Sequence, residues 1–323
     1  MASNLTAEWP DTGLSRCAFI ERVRTMGLEY YRDLPWRHVG DPYAVLVSEV
    51  MLQQTQVARV DKFWRRFLTA FPTIDALAAA SVSDVVEMWQ GLGYNRRALS
   101  LKKAAEICAR DYAGELPRSY EELIALPGIG PATAAGVRAF ALEQPGVYLE
   151  TNVRAVFIHD VFPQAESVRD RELEPLVADV CPCAPESLSC ASGRFVRGIA
   201  ARDDERASHP DPLASPRDWY YALLDYGAYL KASGVNPTRK SAHYARQSTF
   251  EGSRRQKRSW IVRRVLAADP ASGVSAQTVF EELNAAERDA GRDGVGRGTF
   301  DSIVADLASE GFFVVRDGNL IPS

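Results

Sequence analysis

The sequence predicts an all-α bundle of short helices, followed by a smaller α+β unit at the C-terminal end. Three observations predict it. From Cys17 to about Val180 the apolar residues recur at helical spacing, and strand-like alternation is scarce over the same stretch. Beyond residue 250 a basic run gives way to three further helical segments and a hairpin signal. With 323 residues, 46% of them hydrophobic and 25% charged, the chain is long enough for two domains with ordinary cores.

Each element follows from punctuation in the chain. Pro and Gly breaks at Asp41-Pro42, Phe71-Pro72, Gly91 to Gly93, Gly114 to Pro117 and Pro127 to Pro131 cut the first part into six or more helices. Residues 181–216 are rich in Pro, Ser and Ala with little periodicity, and read as a flexible insertion. Helical pattern resumes from Arg217 to Lys231. The segment from Arg239 to Arg264 then carries nine Lys/Arg against one acid, Glu251. Apolar helical pattern recurs at Trp260 to Ala268, Ala276 to Leu283 and Phe300 to Leu307, before FFVVRDGNLI, which reads as a hairpin turning at Asp317-Gly318. Three helices and a terminal hairpin predict a winged-helix-like domain. The expected division is 1–180 with 217–250 as a helical core, 181–216 as an insertion, and 251–323 as a basic linker plus an independent winged-helix-like unit. No repeat of 20 to 50 residues is seen, which argues against an array architecture.

Composition narrows the function classes. The opening MASNLTAEWPDTG has no basic region followed by an apolar run, and no stretch nears the roughly 18 apolar residues of a membrane span, so a cytoplasmic protein is expected. Five cysteines, Cys17, Cys108, Cys181, Cys183 and Cys190, speak against a secreted disulfide framework and suit reducing conditions. The net charge of −4 gives no global basic signature, so any nucleic-acid contact must come from local patches.

Four segments carry candidate chemistry. In LPGIGPATAAGV, the backbone amides of Gly128 and Gly130 and the helix start at Ala132 and Thr133 would converge on one point, a nest able to hold a phosphate without reading sequence. A plain helix-helix turn fits the GxG pair alone equally well. In LPWRHVGDPYAVLVSEVMLQQTQV, Glu49 lies among Val45, Leu46, Val47, Val50, Met51 and Leu52, surroundings that favour a protonated carboxyl able to act as an acid. By composition alone an exposed helix glutamate is the simpler reading. WQGLGYNRRA puts Tyr94, Arg96 and Arg97 just after a glycine-rich turn, and aromatic or amide side chains at loop tips can fill the space an extruded base leaves, which makes Tyr94 and Gln54 wedge candidates. In YLETNVRAVFIHDVF, Glu150 and Thr151 precede an apolar helical run, where either could cap the helix or aim a carboxylate at developing positive charge. His38, His159, His209 and His243 share no ligand spacing, and Cys181, Cys183 and Cys190 are too few for a cluster, so no metal is expected.

SEVMLQQTQV, WQGLGYNRRA, LPGIGPATAAG and LETNVRAV together resemble, in order and spacing, the adenine-DNA glycosylases that act on A opposite G or 8-oxoguanine, within the helix-hairpin-helix (endonuclease III) superfamily. The resemblance covers Leu34 to Phe162 and resumes at Trp219 to Lys231. It implies two helical subdomains, a DNA phosphate on the hairpin and a flipped base in the cleft. It implies that Glu49 protonates the base and positions water, that Glu150 stabilises an oxocarbenium-like sugar, that Gln54 and Tyr94 enter the stack, and that Arg37 and Asp225 recognise the base. Ala132 falls where bifunctional relatives carry a Schiff-base lysine, so a monofunctional enzyme without lyase activity is expected, water being the nucleophile.

Three departures stand out. Glu150 replaces the family's aspartate, and the extra methylene displaces the carboxylate by about 1.5 Å. No cysteine lies beyond Cys190, so no iron-sulfur cluster or other cofactor is expected. The winged-helix-like unit stands in place of the family's 8-oxoguanine-reading domain. The expected partner is double-stranded DNA holding a mispaired or damaged base, probed by a nucleoid-associated monomer with no membrane. The basic run Arg239 to Arg264 either clamps phosphates or is a solvated linker. The competing reading is a non-catalytic lesion-binding or winged-helix DNA-binding regulator.

Overall fold

The structure, a computed structural model, describes residues 7–182, 210–242, 244 and 249–323. Residues 183–209 of the expected insertion lie outside them, as do Cys183, Cys190, His209 and His243. In chain order the helices are α1 (Arg16–Glu29), α2 (Pro42–Leu52), α3 (Val57–Ala70), α4 (Ile74–Ala79), α5 (Val82–Trp89), α6 (Arg96–Asp111) and α7 (Tyr120–Ala125). After these come α8 (Pro131–Phe140), α9 (Thr151–Asp160), α10 (Asp170–Val180), α11 (Pro216–Ala232) and α12 (Arg254–Leu266). The C-terminal part adds β1 (Val274–Ser275), α13 (Ala276–Asp289), α14 (Arg297–Glu310), β2 (Phe313–Arg316) and β3 (Asn319–Pro322). The predicted class holds: a mainly helical core precedes a small α+β element of winged-helix type. Many starts are fixed locally, because Ser15, Thr73, Ser81, Ser119, Ser215, Ser253 and Ser275 each accept a first-turn amide through the side-chain oxygen.

The chain forms two compact units, Met1–Leu46 with Gly130–Ala245 and Val47–Ile129 with Arg246–Ser323. In the first unit α11 packs against α1 and α9. It buries Trp219, Tyr220, Leu223 and Tyr226, while Phe19 of α1 meets Phe157 of α9 with ring centroids 4.6 Å apart. Gly227 lets α11 and α9 approach: a Cβ there would sit 2.4 Å from the Asn152 carbonyl oxygen. Cys17 is disulfide-bonded, and Cys108 and Cys181 are buried.

In the second unit Phe67 of α3 lies edge-on to Phe71 and Trp89, at 4.9 and 5.7 Å between centroids. The sheet has the order β1-β3-β2 and is antiparallel, with Arg316 opposite Asn319 across a two-residue turn. Asp317 (φ 49°) and Gly318 (φ 76°) are both left-handed, as a tight hairpin matched to strand twist requires. The core of this C-terminal part, built on Ile261, Val265, Leu283, Phe300 and Phe313, is continuous with Val86 of α5 and Leu99 of α6. Its interior is therefore shared with the preceding helices, not closed on itself. Among the described residues no helix is long and apolar enough to cross a membrane.

Candidate active site

Asp41 starts α2 by accepting the amides of Tyr43 (3.0 Å) and Ala44 (3.3 Å). From Tyr43 to Met51 every residue is buried except Glu49, which is half-buried. A helix this apolar pins its own orientation, so the single carboxylate is presented at a fixed point on it.

The C-terminal end of α2 is held by Arg97. Its guanidinium donates to the carbonyls of Val50 (2.8 Å), Met51 (2.9 Å) and Gln53 (2.6 Å) and to Thr55 Oγ1 (3.1 Å). The same group reaches the carbonyls of Leu92 (3.3 Å) and Gly93 (2.9 Å) in the turn after α5. One cation thus satisfies carbonyls at the end of α2 and ties two loops together. Burial pulls the Arg97 guanidinium down to about 10, with the nearby Tyr94 phenol opposing. Composition marked Arg97 only as a basic residue after a glycine turn, since acceptors more than 40 positions away leave no local pattern.

The loops Arg97 joins carry the two wedge candidates, and both have left-handed backbones: Gln54 at φ 55° and Tyr94 at φ 49°. Such a conformation costs on the order of 1–3 kcal/mol in a non-glycine residue and persists only where the surroundings impose it. Gln54, Tyr94 and Gly128, taken from three separate motifs, line one cavity of about 740 Å³ in the second unit together with Val50, Arg97 and Arg255.

At the hairpin, Gly128 is left-handed (φ 77°), and a Cβ there would fall 2.5 Å from Ser100 Cβ. Ile129 closes the turn by donating to the Leu126 carbonyl (3.2 Å). Gly130 is the N-cap of α8 and supplies no side chain to its first turn, Pro131 occupies the first helical position, Ala132 is half-buried and Thr133 is buried. The sequence PGIGP therefore builds a helix start whose N-cap leaves room for an outside acceptor.

Glu150 is itself the N-cap of α9: its Oε1 accepts the amides of Asn152 (2.5 Å) and Val153 (3.2 Å). Of the two capping choices read from the sequence, Glu150 takes the role and Thr151 is the first helical residue. Lys231 donates to Asn152 Oδ1 (2.7 Å), and burial holds its ammonium below the usual lysine range against the favourable charge of Glu150.

Arg37 and Asp225 are a buried pair, with side chains 2% and 0% exposed and joined by two bonds of 2.7 Å. Arg32 adds its amide (3.2 Å) and Nε (2.5 Å) to the same carboxylate. The four acceptor positions of the Asp225 carboxylate are thereby taken by arginines. Arg37 lies 4.3 Å from the Tyr221 ring centroid and lines a cavity of about 550 Å³ in the first unit with Tyr31 and Tyr221. Arg37 and Asp225 are both buried.

Four cations of the basic run are matched by acids of their own unit: Arg254 pairs with Asp306 (2.7 Å), Lys257 with Glu287 (3.3 Å), Arg258 with Glu310 (2.6 Å) and Arg264 with Glu282 (2.5 Å). Among the described residues no group of three or more His, Cys, Asp or Glu gathers as a metal site.

Residues 47–182 match the HhH-GPD superfamily base excision DNA repair protein family. The thymine/uracil-DNA glycosylase of Pyrobaculum aerophilum is 36% identical over 191 residues, 58% of this chain and 81% of that protein. The adenine DNA glycosylase of Mycobacterium tuberculosis (strain ATCC 25618 / H37Rv) is 44% identical over 138 residues, 42% of this chain and 45% of that protein. A solved thermostable thymine-DNA glycosylase shares the fold with a TM-score of 0.52 at 21% identity, over 71% of this chain and 96% of that one. The chain belongs to the HhH-GPD superfamily. It spans less than half the length of the mycobacterial adenine DNA glycosylase it matches.

Proposed function

We propose that this chain is a monofunctional DNA glycosylase of base excision repair that hydrolyses the N-glycosidic bond of a flipped purine. Adenine opposite G or 8-oxoguanine is the first choice of substrate, and hypoxanthine the second. The observation that carries this reading is Glu49, the one incompletely buried side chain between Tyr43 and Met51, on a helix whose end is stapled to the left-handed Gln54 and Tyr94.

In this mechanism Tyr94 and Gln54 fill the gap left by the extruded nucleotide, and the amides at Gly128, Gly130, Ala132 and Thr133 hold a phosphate. Glu49 gives its proton to the departing base as the C1′–N bond breaks. The Glu49 carboxylate then takes a proton from the water that adds at C1′, which restores the acid and leaves an abasic sugar. The Glu150 carboxylate faces the positive charge that develops on the sugar. Arg37, fixed by Asp225, contacts the base. Ala132 offers no amine to C1′, so strand cleavage is not part of the reaction. This reading expects no iron-sulfur cluster, because no cysteine of this sequence follows Cys190. The protein acts as a monomer on nucleoid DNA.

One observation favours a second reading. Glu150 Oε1 is committed to two backbone amides, which suits a lesion-binding protein without turnover. The test is base release from duplexes holding A·8-oxoguanine, A·G, hypoxanthine·T, uracil·G or T·G, with wild type, Glu49→Gln and Glu150→Asp in parallel. The T·G and uracil·G arms are included because of the thymine/uracil-DNA glycosylase relative. Release from a purine substrate that Glu49→Gln abolishes supports the enzyme. Tight lesion binding with no release from any duplex favours the binding protein. Preferred release of T or U overturns the purine assignment.

A further inference from the structure

The geometry points to Arg255, on the first helix of the C-terminal unit, as a positioning residue that sets the Tyr94 loop for insertion into DNA. The inference rests on the glycosylase reading for what Tyr94 does, but the contact stands on its own geometry. Arg255 donates through NH1 to the Tyr94 hydroxyl, and its guanidinium carbon lies 4.8 Å from the Tyr94 ring centroid and 5.3 Å from that of Phe250. A guanidinium within about 6 Å of an aromatic face is attracted by the ring quadrupole, the more so where water is excluded. Its neighbours on α12 are engaged differently, Arg254, Lys257, Arg258 and Arg264 each meeting a carboxylate of α13 or α14. Arg255 is the residue of this run that reaches 161 positions back to the glycine-turn loop.

The need for such a contact is visible in the loop. Tyr94 is left-handed, Gly91 and Gly93 before it also have positive φ, and the Tyr94 carbonyl is used in starting α6 by accepting from the Arg97 amide (2.9 Å). Backbone bonding of this kind fixes where the loop leaves α5 and enters α6, but not where the Tyr94 ring points. Arg97 reaches the same ring at 5.6 Å, and Arg255 adds a second cation from another part of the chain together with a bond to the hydroxyl. The ring is thus held at the edge of the cavity it lines with Gln54 and Gly128. The winged-helix-like unit consequently acts on the wedge directly, through one side chain, and not through a row of phosphate contacts.

The test uses the full-length protein as wild type, Arg255→Ala, Arg255→Lys, Tyr94→Ala and the Arg255→Ala/Tyr94→Ala double variant. Amide hydrogen exchange of residues 91–97 is measured without DNA. Fluorescence of 2-aminopurine beside the target base is followed in duplex, together with the salt dependence of binding. Arg255→Ala is expected to speed exchange in this loop by about 5- to 30-fold while leaving α3 and α11 protected, and to weaken the fluorescence rise on binding. Arg255→Lys keeps the charge without the planar fork and should recover part of both. The double variant should behave as Tyr94→Ala does. Unchanged loop exchange, or effects of the two substitutions that simply add, would overturn the inference. So would a loss of affinity marked by a salt slope lower by about one with the loop unaltered, the signature of a phosphate contact. If no duplex releases a base, the glycosylase reading fails, yet the exchange comparison still decides whether Arg255 positions Tyr94.

Discussion

Arg97 reaches, with one side chain, the last turn of α2 and the glycine turn after α5, so its replacement by alanine separates the two loops that carry Gln54 and Tyr94. The guanidinium makes five contacts to carbonyl oxygens and one to the Thr55 hydroxyl. Hydrogen bonds to a charged donor are worth about 1.5–3 kcal/mol each, but six from one group do not add, and the cost of burying the cation opposes them. The three contacts to Val50, Met51 and Gln53 would come to about 4.5–9 kcal/mol if they added, and the opposing cost of burying the cation brings the loss expected for Arg97→Ala down to about 3–5 kcal/mol. That is a large part of a total stability on the order of 5–15 kcal/mol. Arg97→Lys keeps three donors on a point charge and cannot span both loops, so about half of that loss is expected. Urea unfolding at neutral pH measures both variants, and single-turnover base release, corrected for the folded fraction, measures what the loops do for chemistry. An Arg97→Ala protein within about 1 kcal/mol of wild type would refute the energetic argument. A destabilised protein that releases base at the wild-type rate per folded molecule would refute the positioning role.

Three further outcomes follow from the packing. Gly128→Ala places a Cβ 2.5 Å from Ser100 Cβ on a left-handed backbone, and should cost about 2–4 kcal/mol and weaken duplex binding whatever the base sequence. Fluorescence anisotropy with lesion-free duplex tests this, and partial recovery by Ser100→Gly would confirm the clash. Glu287 is 3% exposed, and its bond to Arg292, aided by Lys257, holds its carboxyl below the ordinary glutamate range. A depressed carboxyl stabilises the fold above its unfolded pKa and loses that contribution as pH falls through the folded one. Glu287→Gln should therefore lower the melting temperature at pH 7 and lose that effect in acid below the usual glutamate range, whereas an equal decrement at both pH values would exclude the linkage. Removing residues 251–323 uncovers Val86 and Leu99, so the remainder should melt several degrees lower and expose residues 82–99 to proteolysis. An unchanged melting curve would establish instead that the C-terminal unit is independent of these helices.

How much of this was legible before the structure depended on the reach of each interaction. Residues that act on their own neighbours left a readable pattern. Asp317-Gly318 between apolar pairs specifies a two-residue turn, and Arg316 and Asn319 close it. The serine caps and the glycines of the hairpin are equally local. At the edges of elements the pattern fades: α12 starts at Arg254, well before the apolar signal at Trp260, because Ser253 caps a first turn made of arginines, glutamine and lysine. Strand β1, two residues long, is too short to show an alternation and exists only because β3 pairs with it.

The candidate site divides along the same line. Glu49, Gln54, Tyr94 and the hairpin glycines stand in motifs that can be read singly, but what fixes them comes from far along the chain. Arg97 lies 46 positions from Met51, Arg255 161 from Tyr94 and Arg37 188 from Asp225. A basic run such as Arg254 to Arg264 looks alike in sequence whether its members face phosphates or carboxylates, and the carboxylates that meet Arg254, Lys257, Arg258 and Arg264 lie on α13 and α14. Local pattern therefore nominates groups for chemistry, while the supporting contacts, which decide whether each is held within the fraction of an ångström that catalysis demands, appear only once the chain is folded.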